Sequence, residues 1–169
     1  PGRCSNTALL SFGVCVNDDA ESMIDIYDHL TDAFGSKDVE WIQPVLIQDY
    51  DPERETNMPH VPNLRQFLDH HPQGHFIVGV TEHAIALHDG WVVDTMRIGP
   101  KNRHRLDTAI QITNNDSRIE EFFEHYKKQE TRSDVIHEPI PVRKQPQHPT
   151  RTHRFEDVIS RLERVGVSF

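Results

Sequence analysis

The 169-residue chain is 36% hydrophobic and 27% charged, with a formal net charge of -9; this is enough for one domain with a real core and, at most, an appendage. So acidic a balance argues against duplex nucleic acid as partner of the folded part, and with no apolar run of membrane-spanning length and no signal-peptide pattern, no membrane contact is expected. Two cysteines without a disulfide framework or a CxxC pair point to reduced thiols and an intracellular setting.

The 12 histidines are scattered, and His70, His71 and His75 lack the spacing of a helix or strand metal site, so no metal or other cofactor is expected. From Pro1 to Gly13, Ala8, Leu9, Leu10 and Phe12 precede a glycine, which predicts a short, largely buried helix opening near Cys4. A thiol at that place feels the positive end of the helix dipole, which favours the thiolate; a free cysteine is equally an ordinary small core residue. Cys15, between Val14 and Val16, reads as such a core residue. Asn17-Asp18-Asp19 reads as the cap of a helix over 18–34, in which Met23, Ile24, Ile26, Tyr27, Leu30 and Phe34 recur at helical spacing. Val39 to Gln48, interrupted by Pro44, predicts an edge strand. Asp51 to Pro62 reads as a polar, proline-bearing loop, either a flap over a cleft or a plain connection. Asn63 caps a short helix over 64–68 that closes before His71-Pro72.

The sequence is centred on Gly74 to Thr95, GHFIVGVTEHAIALHDGWVVDT. Asp89-Gly90 between two apolar runs is a strong hairpin signal, because a type I′ turn needs positive φ at both central residues. Strands are expected over 76–80, 83–88 and 91–96. A two-residue turn sets Leu87 opposite Val92 and Ala86 opposite Val93, and makes His83 and Asp94 diagonal neighbours on one face, with α-carbons roughly 7–8 Å apart. A one-residue slip would separate them. A histidine held by a carboxylate is the base and orienter of a nucleophilic triad; a hydrogen-bonded strand histidine beside a strand-ending acid is the plainer account.

A further strand is expected over 103–113, and helices ahead of a run of strands indicate an α+β fold, N-terminal helices packed on an antiparallel sheet or meander. Residues 1–116 form that domain. The remainder, 117–169, reads as an extension: an amphipathic helix over 119–128, a Pro-, His- and basic-rich arm over 134–154, and a second helix over 155–165. Such a tail would wrap the body or grip a protein partner.

With Cys4 opening the first helix and His83 and Asp94 on the hairpin, the chain resembles the papain-like cysteine peptidases of compact microbial, phage and viral type. The resemblance spans roughly residues 4–113. It is carried by Cys4 with Ala8-Leu9, by Asn63 to Gly74 (NLRQFLDHHPQG), and by His75 to Thr95. It implies a papain-like α+β fold, a peptide or protein substrate, and cleavage of a peptide or isopeptide bond by Cys4, with His83 as acid and base and Asp94 as its orienter. It also implies an oxyanion donor. Such enzymes usually carry a Gln or similar donor several residues before the cysteine, which Pro1, Gly2 and Arg3 do not supply, so the backbone N–H of Cys4 and, more weakly, Asn6 are the candidates. A thiol acyltransferase or amidase, and a non-catalytic scaffold with the tail as interaction element, are alternatives on the same fold.

Overall fold

A computed structural model describes residues 2–17, 20–43, 47–51, 56–95, 105–113, 117–130 and 134–143. Its helices are α1 (Gly2–Leu10), α2 (Met23–Phe34), α3 (Leu64–His70) and α4 (Ser117–Lys127). Its strands are β1 (Val39–Ile42), β2 (Ile47–Asp51), β3 (Thr56–His60), β4 (His75–Val80), β5 (His83–His88), β6 (Trp91–Asp94), β7 (Thr108–Ile112) and β8 (Val135–His137). Six strands make one open antiparallel sheet, in the order β1-β7-β4-β5-β6-β8, and β2 pairs with β3 in a separate ribbon. The chain is therefore α+β.

The central hairpin forms in the expected register, with Ala86 opposite Val93, Leu87 opposite Val92 and His88 opposite Trp91. Asp89 and Gly90 take φ of 47° and 82°, as a type I′ turn requires. The Asp89 carboxylate also accepts from the Gly74 N–H at 2.8 Å, tying the start of β4 to the turn.

Both faces of the sheet are covered, which is why every residue of β4 and β5 is buried. Side-chain alternation sends Ile77, Ala84, Ala86, Val93 and Ile110 to one face. There they meet Cys4, Ala8, Leu9 and Phe12 of the α1 segment, Ile26 and Leu30 of α2, and Ile119, Phe123 and Tyr126 of α4. Phe76, Val78, Ile85, Leu87 and Val92 go to the other face and meet Leu64, Phe67 and Leu68 of α3. In each helix these positions recur at i, i+3 or i+4, the stripe that a sheet can cover. Each large side chain buried completely contributes roughly 1.5–3 kcal/mol.

Several sequence expectations change. α2 starts at Met23, because Ser22 and Asp25 close a reciprocal capping box that satisfies the helix's first donors; Asp18 and Asp19 lie outside the described residues. Cys15 is exposed. The segment read as a proline-bearing loop contains β3, where Pro59 pairs with Gln48 in a ribbon whose strands both have an open edge, the setting that tolerates a missing N–H. The strand read over 39–48 is divided into β1 and β2.

The sequence places a boundary at 116, whereas α4 shares the core of α1 and α2 and β8 pairs with β6. Of the arm, the Pro141 carbonyl accepts from Arg65 Nη2 at 2.6 Å, and the Arg143 N–H donates to Asp69 at 2.9 Å, so residues 141–143 dock on α3. Met96 and the helix expected over 155–165 lie outside the described residues. Among the described residues no helix is long and apolar enough to cross a membrane.

Candidate active site

α1 packs on β5 and β6. Ala8 on the helix and Ala84 and Ala86 on the strand belong to one cluster, and their small side chains let the backbones come close. This sets Cys4, in the first turn of α1, beside His83, the first residue of β5. Amide N–H groups of a first turn have no intrahelical acceptor, so they present donors and partial positive charge next to the thiol.

His83 Nε2 lies 2.5 Å from Asp94 Oδ1, across the diagonal expected from the turn. Asp94 is 1% exposed and His83 8%. With Nε2 turned to the carboxylate, Nδ1 is the ring nitrogen left for the hydrogen bond between His83 and Cys4. Burial pulls the His83 pKa down, but hydrogen bonds and charge from Asp94 and Cys4 outweigh it and raise it to about 9. Burial pushes the Cys4 thiol up, yet its hydrogen bonds to the His83 side chain and the Ala84 backbone, with the charge on His83, bring it down to about 7. Between these values the favoured state of the pair is thiolate and imidazolium.

A cleft of about 450 Å³ opens beside His83, with Ser5 and Ala84, neighbours of Cys4 and His83 in the chain, also in its wall. Its lining carries three carboxylic acids, Glu21, Glu82 and Asp107, and neither Lys nor Arg. Gly79 belongs to the same wall: a β-carbon there would lie 2.7 Å from Thr108 Oγ1 and 3.3 Å from Met23 Cγ. The three acids come from three separate segments, and nothing in their spacing along the chain announces that they meet.

The structure thus brings Cys4, His83 and Asp94 together. Asn6 sits nearby in α1, and its Oδ1 accepts from the Ala20 N–H at 3.1 Å, which braces the segment leading to α2.

No protein-family model, curated protein or solved structure gives a significant match to this chain. What the site can do is argued from its geometry: an imidazole poised between a buried carboxylate and a thiol of lowered pKa has the parts of a nucleophile, its proton carrier and an orienting group.

Proposed function

We propose that this chain is a cysteine peptidase of papain-like type, cleaving a peptide or isopeptide bond with Cys4 as nucleophile. The observation that carries the reading is the Cys4–His83–Asp94 series, in which the thiol is lowered to about 7 while its imidazole partner is raised to about 9. The Cys4 thiolate attacks the substrate carbonyl, and the oxyanion is stabilised by N–H groups of the first turn of α1, that of Cys4 foremost. His83 gives its proton to the leaving amine as the C–N bond breaks, leaving a thioester on Cys4. Neutral His83 then takes a proton from water; the resulting hydroxide opens the thioester, releases the acid and restores the ion pair. Asp94 holds the imidazole in one tautomer and stabilises its charged form. The carboxylates lining the cleft favour a substrate with a cationic side chain near the scissile bond.

The test is the pH dependence of iodoacetamide alkylation at Cys4, with exposed Cys15 as internal control. Half-maximal reaction is expected near pH 7 for Cys4, below the ordinary free-thiol value of about 8.5. His83→Gln should move Cys4 up toward the ordinary thiol value, and Asp94→Asn should do so in part. Cleavage of peptides bearing Lys or Arg should disappear in Cys4→Ala and fall about 100-fold or more in Asp94→Asn. If Cys4 in the unaltered protein titrates at the ordinary thiol value of about 8.5, the peptidase reading fails and the site is a binding shell.

A further inference from the structure

At the far end of β5 from the thiol lies a second polar group. His75 and His88 face each other across β4 and β5, with Nδ1 to Nδ1 at 3.2 Å. His88 Nε2 is 2.9 Å from Ser11 Oγ, and the Ser11 hydroxyl donates to the Ala8 carbonyl at 2.7 Å. Each group in this row has a limited stock of protons, so the bonds fix one another. Ser11 has spent its proton on Ala8 and must accept from His88 Nε2–H. His88 then has a lone pair on Nδ1 and must accept from His75 Nδ1–H. In the neutral ring the lone pair of His75 then sits on Nε2.

What His75 faces is two carboxylates. A ring nitrogen of His75, an oxygen of Asp89 and an oxygen of Glu120 all lie within 4.8 Å of one another. His75 is 8% exposed and hydrogen-bonded through Nδ1 alone among the described residues, whereas Asp89 and Glu120 lie at the surface. An acceptor nitrogen aimed at two anions has nothing to donate to them. The arrangement lacks a cation.

From this convergence we infer that His75, Asp89 and Glu120 form a binding site for a divalent transition-metal ion of the zinc class. Neutral imidazole with two carboxylates is a donor set suited to that class, and one 2+ ion makes the site electrically neutral. Ligand distances of about 2.0–2.2 Å require the donors to close to roughly 3–3.5 Å from one another, which small rotations of the two surface carboxylates accomplish. The His88–Ser11 relay orients the ligand histidine from behind, the usual arrangement for a metal-bound imidazole. Three protein ligands leave a coordination position open to solvent. The three ligands come from β4, the β5–β6 turn and the first turn of α4, so the ion would pin that helix to the sheet. Spacing along the chain cannot reveal such a site, and the expectation of no metal rested on spacing. The inference does not depend on the peptidase reading.

Co²⁺ is the probe, because its absorption spectrum separates nitrogen and oxygen ligation from ligation by Cys4 or Cys15. The full chain should bind one equivalent without a thiolate charge-transfer band, and its thermal midpoint should rise on binding. Asp89→Asn keeps the Oδ1 that Gly74 uses and suits positive φ; Glu120→Gln alters only a surface charge on α4. Each should weaken binding about 10-fold or more while leaving the metal-free thermal midpoint near that of the unaltered protein. Ser11→Ala, which breaks the relay without touching the ion, should weaken it about 10-fold. The inference is overturned if Co²⁺ does not bind saturably, if the two carboxylate variants bind it as the unaltered protein does, or if the signal is a thiolate band that disappears in Cys4→Ser or Cys15→Ser.

Discussion

Two histidines on one strand are driven in opposite directions by what they face. His83 meets a carboxylate and a thiol, and its pKa rises to about 9. His88 is fully buried between Phe12 and Phe123; burial, with charge from His75 and Lys127, holds it well below 6.5. A pKa raised on folding gives His83 a contribution to stability that is complete below 6.5 and lost as pH climbs through 9. His88 has the opposite sign: below pH 6.5 the unfolded chain takes up a proton that the folded chain refuses. Stability should therefore fall on acidification by about 1.4 kcal/mol per pH unit for this group. Unfolding free energies from urea titrations at pH 7.5 and 5.5 should differ less in His88→Gln by about 1.4 kcal/mol; equal differences would assign the acid sensitivity to other residues. The His83–Asp94 meeting was legible because Asp89-Gly90 fixes the count across the turn. The His75–His88 meeting follows from the same count made around residues 81–82, but Thr81-Glu82 does not look like a turn of that type.

That turn is the unusual element. Thr81 and Glu82 have φ of 38° and 60°, the left-handed region that Gly and Asn occupy cheaply and a β-branched residue does not. The Thr81 N–H donates to Asp107 at 2.8 Å, and the Asp107 N–H donates to the Gly79 carbonyl at 2.8 Å, which clamps the turn beside the cleft. Strain next to a reactive residue is a recurring device for holding a side chain in place. Replacing Thr81-Glu82 by Asn-Gly should stabilise the fold by about 1 kcal/mol, read from the urea midpoint. A loss of stability would mean that the Thr81 and Glu82 side chains hold the turn. Among the described residues the helices announce themselves by periodicity, and three of the four begin within two residues of where the sequence places them. β8 does not, since three residues in a polar, proline-rich segment have no pattern of their own and become a strand only because β6 offers an open edge.

On the scale of the molecule, the division at residue 116 does not correspond to a division of the core. Ile119, Phe123 and Tyr126 are each less than 5% exposed and pack with α1, α2 and the sheet. A chain ending at 116 would leave that face of the core open, at roughly 1.5–3 kcal/mol for each large side chain lost, a sum comparable to the whole stability of a small domain. It should show no cooperative thermal transition by circular dichroism and should be digested by trypsin far faster than the full chain; a sharp transition would show that the first 116 residues fold alone. The sequence set this boundary from a change in composition, and composition does not reveal which later helix completes an earlier core. β8 has a consequence of another kind. By occupying the edge of β6 it ends the row of backbone hydrogen bonds with a strand of only three residues, too short to recruit a neighbour firmly. Were Val135–His137 to peel away, the buried hairpin of β5 and β6 would present a free, apolar margin to any other extended chain. Those three residues cover that margin of the sheet.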